Sequence, residues 1–313
     1  MSTKHLITHL RHIDIAMPDY DKQHEFYTGH WGLTETHSDG NVAFLAAEGS
    51  PEQYIVRLRR DAQKRMDLVA FGAATPANVD TLTERLIALN VKLAHEPRAL
   101  DTPGGGYGVR FFDNDGRVVE VSANVTPRKH RRIEERESIP VRLSHVVVNS
   151  PSPEQTVEWY VKHLDFRLSD TLTLGERSFM WFLRCNNQHH SFAIARGPHV
   201  ALHHASFEMR GIDEYMRGTG RMLRANVEKI WGPGRHYAGD NTYSYFLDPV
   251  GNTVEYTTEL EVIDEDTWHP HIYNGLEDPH IIDQWGTANA MNEFVAAKSF
   301  NDVDPGLFVA PPV

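Results

Sequence analysis

Apolar and polar positions alternate along this chain in short runs, and some of those runs recur. LRHIDIAMPDYDKQHEFYTGHWGLTET, from Leu10, and LSHVVVNSPSPEQTVEWYVKHLDFRLSD, from Leu143, each open with Leu-x-His and an apolar, strand-favouring run. Each then passes through a proline-bearing turn into an amphipathic stretch, with Tyr27 and Tyr160 at the same distance from His12 and His145. A second pair closes the two halves. VRFFDNDGRVVEVSAN and YSYFLDPVGNTVEYTTE both read strand, Asp-x-x-Gly turn, strand, with Glu120 and Glu255 in matching places. Asp and Gly supply the turn, and β-branched and aromatic neighbours supply the strands. Helices are expected at Asn78 to Leu89 and Asp213 to Asn226, between the paired signatures. The self-similarity predicts an α+β chain of four βαβββ modules. They pair into two domains, each an open mixed β-sheet barrel flanked by helices. A charged, proline-bounded segment from Pro127 to Pro140 reads as a linker. It separates an N-terminal domain over 1–130 from a C-terminal domain over 141–313. Residues after about Glu259 belong to no repeat and are expected to wrap back over the second half.

The length of 313 residues suits two domains. The formal charge of -12 disfavours nucleic acid, whose phosphates must be met by Lys and Arg, and leaves no basic patch for anionic lipid. A single cysteine, Cys185, excludes an intramolecular disulfide and a Cys-rich zinc site. It reads as a small buried residue. No leader pattern and no bilayer-length apolar stretch is evident, so the expected location is the cytoplasm. The 19 histidines are unusual, and the pool is large enough to contain a metal site.

A lone strand histidine such as His145 is more often structural than a ligand. His204, in ALHHASFEM, opens the next module in the same way, and Glu255 follows the Asp248-Pro249-Val250-Gly251 turn. Two imidazoles and one carboxylate from three strands form the facial set that suits Fe(II) and leaves coordination positions open. In the first half His12 and Glu120 match two of these, but the third position falls near Leu68, which offers no ligand. That half is expected to hold no metal.

At these residues the chain resembles the type I extradiol dioxygenases of the vicinal oxygen chelate superfamily. The resemblance runs from about Leu10 to Trp285 and is strongest in GPGRHYAGDNTYSYFLDPVGNTVEY, residues 232–256. It implies that the metal sits in the C-terminal domain, with Fe(II) expected and Mn(II) as the alternative that the same ligand set can hold, and with O2 as co-substrate. It also implies insertion of both oxygen atoms into a catechol-type ring beside the diol. His190 then stands where the family carries an acid/base histidine, with His189 as rival. His236 matches a histidine that bonds substrate or oxygen, and Tyr245 a substrate-contacting tyrosine, with Tyr243 competing by alternation. For each of these the bland reading is a loop or core residue. Phe179, Trp181, Phe192 and Trp231 are candidate walls of a dry pocket. Relatives acting on homoprotocatechuate grip its carboxylate with arginines. Here Trp231 precedes GPGRH, and Asp278-Pro279-His280-Ile281 carries no arginine, so a small aromatic diol without a carboxylate is expected. Homo-oligomers are expected from the family alone. The alternatives are a glyoxalase-like metal-dependent isomerase or lyase, or a metal-free small-molecule binding protein. GGGYG, from Gly104 to Gly108, lacks a following helix and reads as a hairpin loop rather than a phosphate cradle.

Overall fold

The β-branched runs become strands and the amphipathic stretches become helices in a strict order. The computed structural model describes residues 5–288 and 301–312. The first half contains β1 (Ile7–Met17), α1 (Tyr20–Glu25), β2 (Thr34–Ser38), β3 (Val42–Ala46) and β4 (Val56–Arg60). It continues with β5 (Arg65–Ala73), α2 (Pro76–Ala88), β6 (Leu93–Ala99), β7 (Tyr107–Phe112) and β8 (Val118–Ala123). A π-helical turn, Phe26–Trp31, extends α1. The second half contains β9 (Pro140–Ser150), α3 (Pro153–Leu164), β10 (Arg167–Leu174), β11 (Arg177–Arg184) and β12 (Phe192–Arg196). It continues with β13 (Ala201–Met209), α4 (Ile212–Arg224), β14 (Lys229–Arg235), β15 (Thr242–Leu247), β16 (Thr253–Thr258) and β17 (His271–Asn274).

These are the four expected βαβββ modules. The strands form an eight-stranded sheet, β2-β3-β4-β1-β5-β8-β7-β6, and a nine-stranded sheet, β14-β15-β16-β13-β9-β12-β11-β10-β17. Apart from β17 the two orders are the same. Within each sheet β1 or β9 pairs antiparallel with the first strand of the next module and parallel with the last strand of its own. The sheets remain open at their outer strands. The added strand, β17, comes from the tail and lies parallel to β10. No helix among the described residues is long and apolar enough to cross a membrane.

Local chemistry fixes the helix starts. Thr75 accepts a hydrogen bond from the Asn78 N–H at 3.2 Å, with Pro76 in the first turn of α2. The repeat also builds the contact between halves. Tyr27 donates to Asp248 of the second half's turn at 3.3 Å, and Tyr160 donates to Asp113 of the first half's turn at 3.1 Å. Each conserved-by-repeat tyrosine thus satisfies the other half's turn. Trp31 crosses the same boundary. It stacks on Tyr256 at 3.9 Å between centroids and meets Phe207 edge-on at 5.4 Å. One apolar core therefore runs through both halves and holds the strands of the second sheet from behind.

Candidate metal centre and its cavity

Strand register makes the site. His145 on β9 lies opposite Ser206 on β13, Ser206 lies opposite Glu255 on β16, Glu255 lies opposite Tyr245 on β15, and Tyr245 lies opposite Trp231 on β14. This single lateral row crosses five strands. His204 stands one pleat along on β13, opposite Val147 and Thr253. Side chains two apart on a strand share a face, so His204 joins the row.

Ligand atoms of His145, His204 and Glu255 all lie within 4.8 Å of one another, and all three residues are buried. Nε2 of His145 and Nε2 of His204 approach the same Glu255 oxygen, Oε2, at 3.0 and 3.3 Å. Yet both Glu255 oxygens and the His204 Nε2 lack a well-directed hydrogen-bond partner. Buried polar atoms without partners are costly, and a carboxylate with two imidazole lone pairs turned on one point is a donor set suited to a cation. The residues fit a divalent metal. Burial would raise the Glu255 carboxyl, but the His145 and His204 imidazoles overcome it and hold the group well below its usual range. Burial drives His145 below its ordinary value, against the pull of Glu255, towards the neutral form a metal needs.

The row opens onto a cavity of about 200 Å³ with mostly apolar walls. Of the histidine pair, His190 lines it and His189 lies behind. Burial, then the neighbouring His145 and His189, keeps His190 well below its ordinary value, and so neutral. His236 Nδ1 bonds to the Ile282 carbonyl at 2.8 Å, so that nitrogen carries the proton. Its Nε2 is then an acceptor for the Tyr245 hydroxyl, 3.1 Å away. Burial lowers His236 to about 4. Burial, reinforced by Glu255, pushes Tyr245 well above its ordinary value and keeps its hydroxyl protonated. Tyr243 points into the aromatic wall behind, stacked on His236 at 4.0 Å between centroids.

Phe179 and Trp231 line the cavity, whereas Trp181 and Phe192 do not. Phe192 pairs with Val146 and Trp181 with Ile194, which places them on the face opposite His145. The cavity face of the same strands is made by Phe182, Met180, Ala193 and Ala195. Phe192 instead packs on Tyr160 and Phe166 in the core. Alternation also hid one residue. His203 lines the cavity, with its Nδ1 2.7 Å from the His204 Nδ1. A register shift between Leu202 and His204 turns both histidines the same way. The tail contributes Ile281 and Ile282 to the wall. Cys185 is buried, and burial pushes its thiol up to about 11.

Residues 142–256 match the Glyoxalase/Bleomycin resistance protein/Dioxygenase superfamily. A Mn(II)-bound glyoxalase from Novosphingobium aromaticivorans is 38% identical, with 96% of this chain and 97% of that one covered at a TM-score of 0.89. The chain belongs to this superfamily. Within it, Metapyrocatechase 2 of Cupriavidus necator is 25% identical over 280 residues, 83% of each chain. The fold of homoprotocatechuate 2,3-dioxygenase from Arthrobacter globiformis superposes at a TM-score of 0.84, with 22% identity over 95% of this chain and 92% of that one. The superfamily's members thus include extradiol dioxygenases alongside a protein named for another activity.

Proposed function

We propose that this protein is an extradiol ring-cleaving dioxygenase that acts on a catechol-type diol, with Fe(II) held by His145, His204 and Glu255. One observation carries the reading. Two of the three clustered ligands, His145 and His204, line one apolar cavity beside a neutral histidine, His190, and a hydrogen-bonded His236–Tyr245 pair. The bound ion would supply a template on which both diol oxygens and O2 meet. The chain's own residues do the rest. His190 has a neutral imidazole at the cavity wall and can take a diol proton and return it. The protonated Tyr245 hydroxyl is held by the His236 Nε2 and can turn its one hydrogen to a bound diol oxygen. Phe182, Ile230, Ile281 and Ile282 exclude water from the reacting ring.

The diol is one without a carboxylate. Among the described residues that line the cavity Arg196 is the single Arg or Lys, and it already pairs with Glu154. Arg235, in the GPGRH segment, is held outside by Glu259 at 2.6 Å and Asp240 at 2.8 Å. Among the described residues a ring carboxylate would find no free bidentate partner.

The whole-length likeness to a Mn(II)-bound glyoxalase favours a second reading, a metal-dependent isomerase. Anaerobic loading with Fe(II), and separately with Mn(II), followed by O2 and 3-methylcatechol, separates the two. Oxygen uptake with a yellow ring-opened product is the expected result. Silence across a panel of catechols would remove the dioxygenase reading. Turnover of homoprotocatechuate faster than 3-methylcatechol would remove the substrate assignment alone. Oligomeric assembly and a cytoplasmic location complete the proposal, the first measurable by sedimentation.

A further inference from the structure

A line of hydrogen bonds leaves the cavity through His190 and ends in the tail. His190 Nδ1 lies 2.9 Å from His189 Nδ1. His189 Nε2 lies 2.7 Å from Asp170 Oδ2. The other Asp170 oxygen accepts from the His271 backbone N–H at 2.8 Å and faces its Nδ1 at 3.2 Å. His190, His189 and Asp170 are all buried. Among the described residues the ion-pair partners of Asp170 are these two histidines, with no Arg or Lys. The surroundings hold the line rigid. Trp268 lies edge-on to His189, and its indole N–H donates to the Ser169 carbonyl at 3.1 Å. Ser169 in turn donates to the His189 carbonyl. Gly239, at a φ of +85, passes so close that a Cβ there would come 2.9 Å from the His189 Nδ1.

With His189 neutral, proton bookkeeping along this line has one solution. Asp170 accepts only, so the His189 Nε2 carries a hydrogen. A neutral His189 then offers the Nδ1 lone pair, and His190 must donate from its own Nδ1. That leaves the His190 Nε2 as a bare lone pair, the nitrogen not engaged by His189 and free for the cavity. We propose that Asp170 and His189 are positioning residues that fix the tautomer of His190, and that the tail strand β17 exists to clamp Asp170. The arrangement extends a carboxylate-imidazole pair by one imidazole, and loss of the carboxylate in such a pair lets the wrong tautomer form while geometry persists. The inference rests on the ring-cleavage reading only for its kinetic consequence. The tautomer stands independently of any substrate.

Two readouts test it. In the full-length metal-free chain, 15N-histidine spectra at neutral pH should show His190, assigned by the loss of its signals in His190→Gln, protonated at Nδ1 and bare at Nε2. The opposite tautomer in the wild type overturns the proposal, even if every Asp170 variant fails to fold. In the metal-loaded enzyme, Asp170→Asn should lower kcat at least tenfold, with KM and bound metal within twofold of wild type. Retained kcat in Asp170→Asn, with metal bound, also overturns it. A wild type that cleaves no diol, yet shows the expected tautomer that Asp170→Asn then loses, removes the ring-cleavage reading and upholds the positioning role.

Discussion

Trp31 belongs to the first half, yet it supports the candidate metal centre of the second. Its side chain is fully buried between Tyr256, Phe207, Phe246 and Phe26. These neighbours include residues on β13, β15 and β16, the strands that carry His204, Tyr245 and Glu255. Tyr256 directly follows Glu255 and donates its hydroxyl to the Trp31 carbonyl at 2.6 Å. Trp31→Ala removes the indole and leaves a cavity at the shared core, which should cost about 3–5 kcal/mol. Trp31→Phe should behave differently. It gives up part of the stacking, about 0.5–1.5 kcal/mol at the scale of aromatic pairs. It also removes an indole N–H that is buried without a partner, a defect of about 1–3 kcal/mol in its own right. The two terms have opposite sign and similar size, so Trp31→Phe should fall within about 1 kcal/mol of wild type by this balance. Urea unfolding followed by far-UV circular dichroism reads both. Titration with Fe(II) or Mn(II) reads the consequence for the site, where Trp31→Ala should weaken binding by roughly 10–100-fold, the scale for residues that orient metal ligands. A Trp31→Ala protein that lost less than 1 kcal/mol, or lost stability while binding metal as before, would refute the claim that the first half holds the ligand strands in place.

Glu255→Gln should keep the fold by circular dichroism and reduce bound metal from one equivalent per chain to near zero by elemental analysis. Full occupancy in that variant would rule out the carboxylate as a ligand. Tyr245→Phe removes a hydroxyl donor beside Glu255 and should cost on the order of 10² in kcat with bound metal unchanged, measured by oxygen uptake. Acid should destabilise the metal-free protein through its buried neutral histidines. His236 falls from 6.5 unfolded to about 4 folded, so the unfolded chain binds the extra proton between those values. The stability from His236 is therefore complete above pH 6.5 and is lost as pH drops towards 4, on the order of 2 kcal/mol after allowance for its partial exposure. His190 and His203 shift in the same direction. Melting temperatures from pH 7 to 5 should fall less steeply in His236→Gln than in wild type, and equal slopes would count against the assignment.

Much of this could be read from the chain because the repeat compared each position with a second copy. Leu-x-His at Leu10 and Leu143, and the two Asp-x-x-Gly turns, mark β1, β9, β8 and β16 in the sequence. With His204 opening the next module, they put His145, His204 and Glu255 on three strands, and the fold makes those strands neighbours. What stayed hidden depended on pairing rather than on pattern. Phe192 and Trp181 are as apolar as any cavity wall, but their face is set by Val146 and Ile194 across the ladder. His203 broke the rule of alternation because a register shift sits beside it. Asp170 looked like one acidic residue among many. Its partner His271 lies on a strand that no repeat contains, far along the chain, so only the folded tail gives that carboxylate a role.

The first half sets the same positions with different side chains. Its register is the same: Leu68 lies opposite Asp14 as His204 lies opposite Val147, and Arg110 lies opposite Glu120 as Tyr245 lies opposite Glu255. His12 and Glu120 are retained and buried, but a leucine replaces the second imidazole and an arginine replaces the tyrosine. Arg110 Nε donates to Glu120 at 2.8 Å, while the His12 Nε2 stands 3.8 Å away on the other oxygen. A buried carboxylate needs a cation, and here a guanidinium fixed in the chain supplies it without a free coordination position. Arg110→Leu should therefore destabilise the protein by about 3–5 kcal/mol, because it strands a buried charge. The double variant Arg110→Leu with Glu120→Leu should recover most of that loss, since a matched apolar pair removes both charges together. A chemical denaturation cycle over the four proteins measures the coupling. If the double variant were as unstable as the sum of its parts, Glu120 would not depend on Arg110, and the guanidinium would not be the cation that balances this carboxylate.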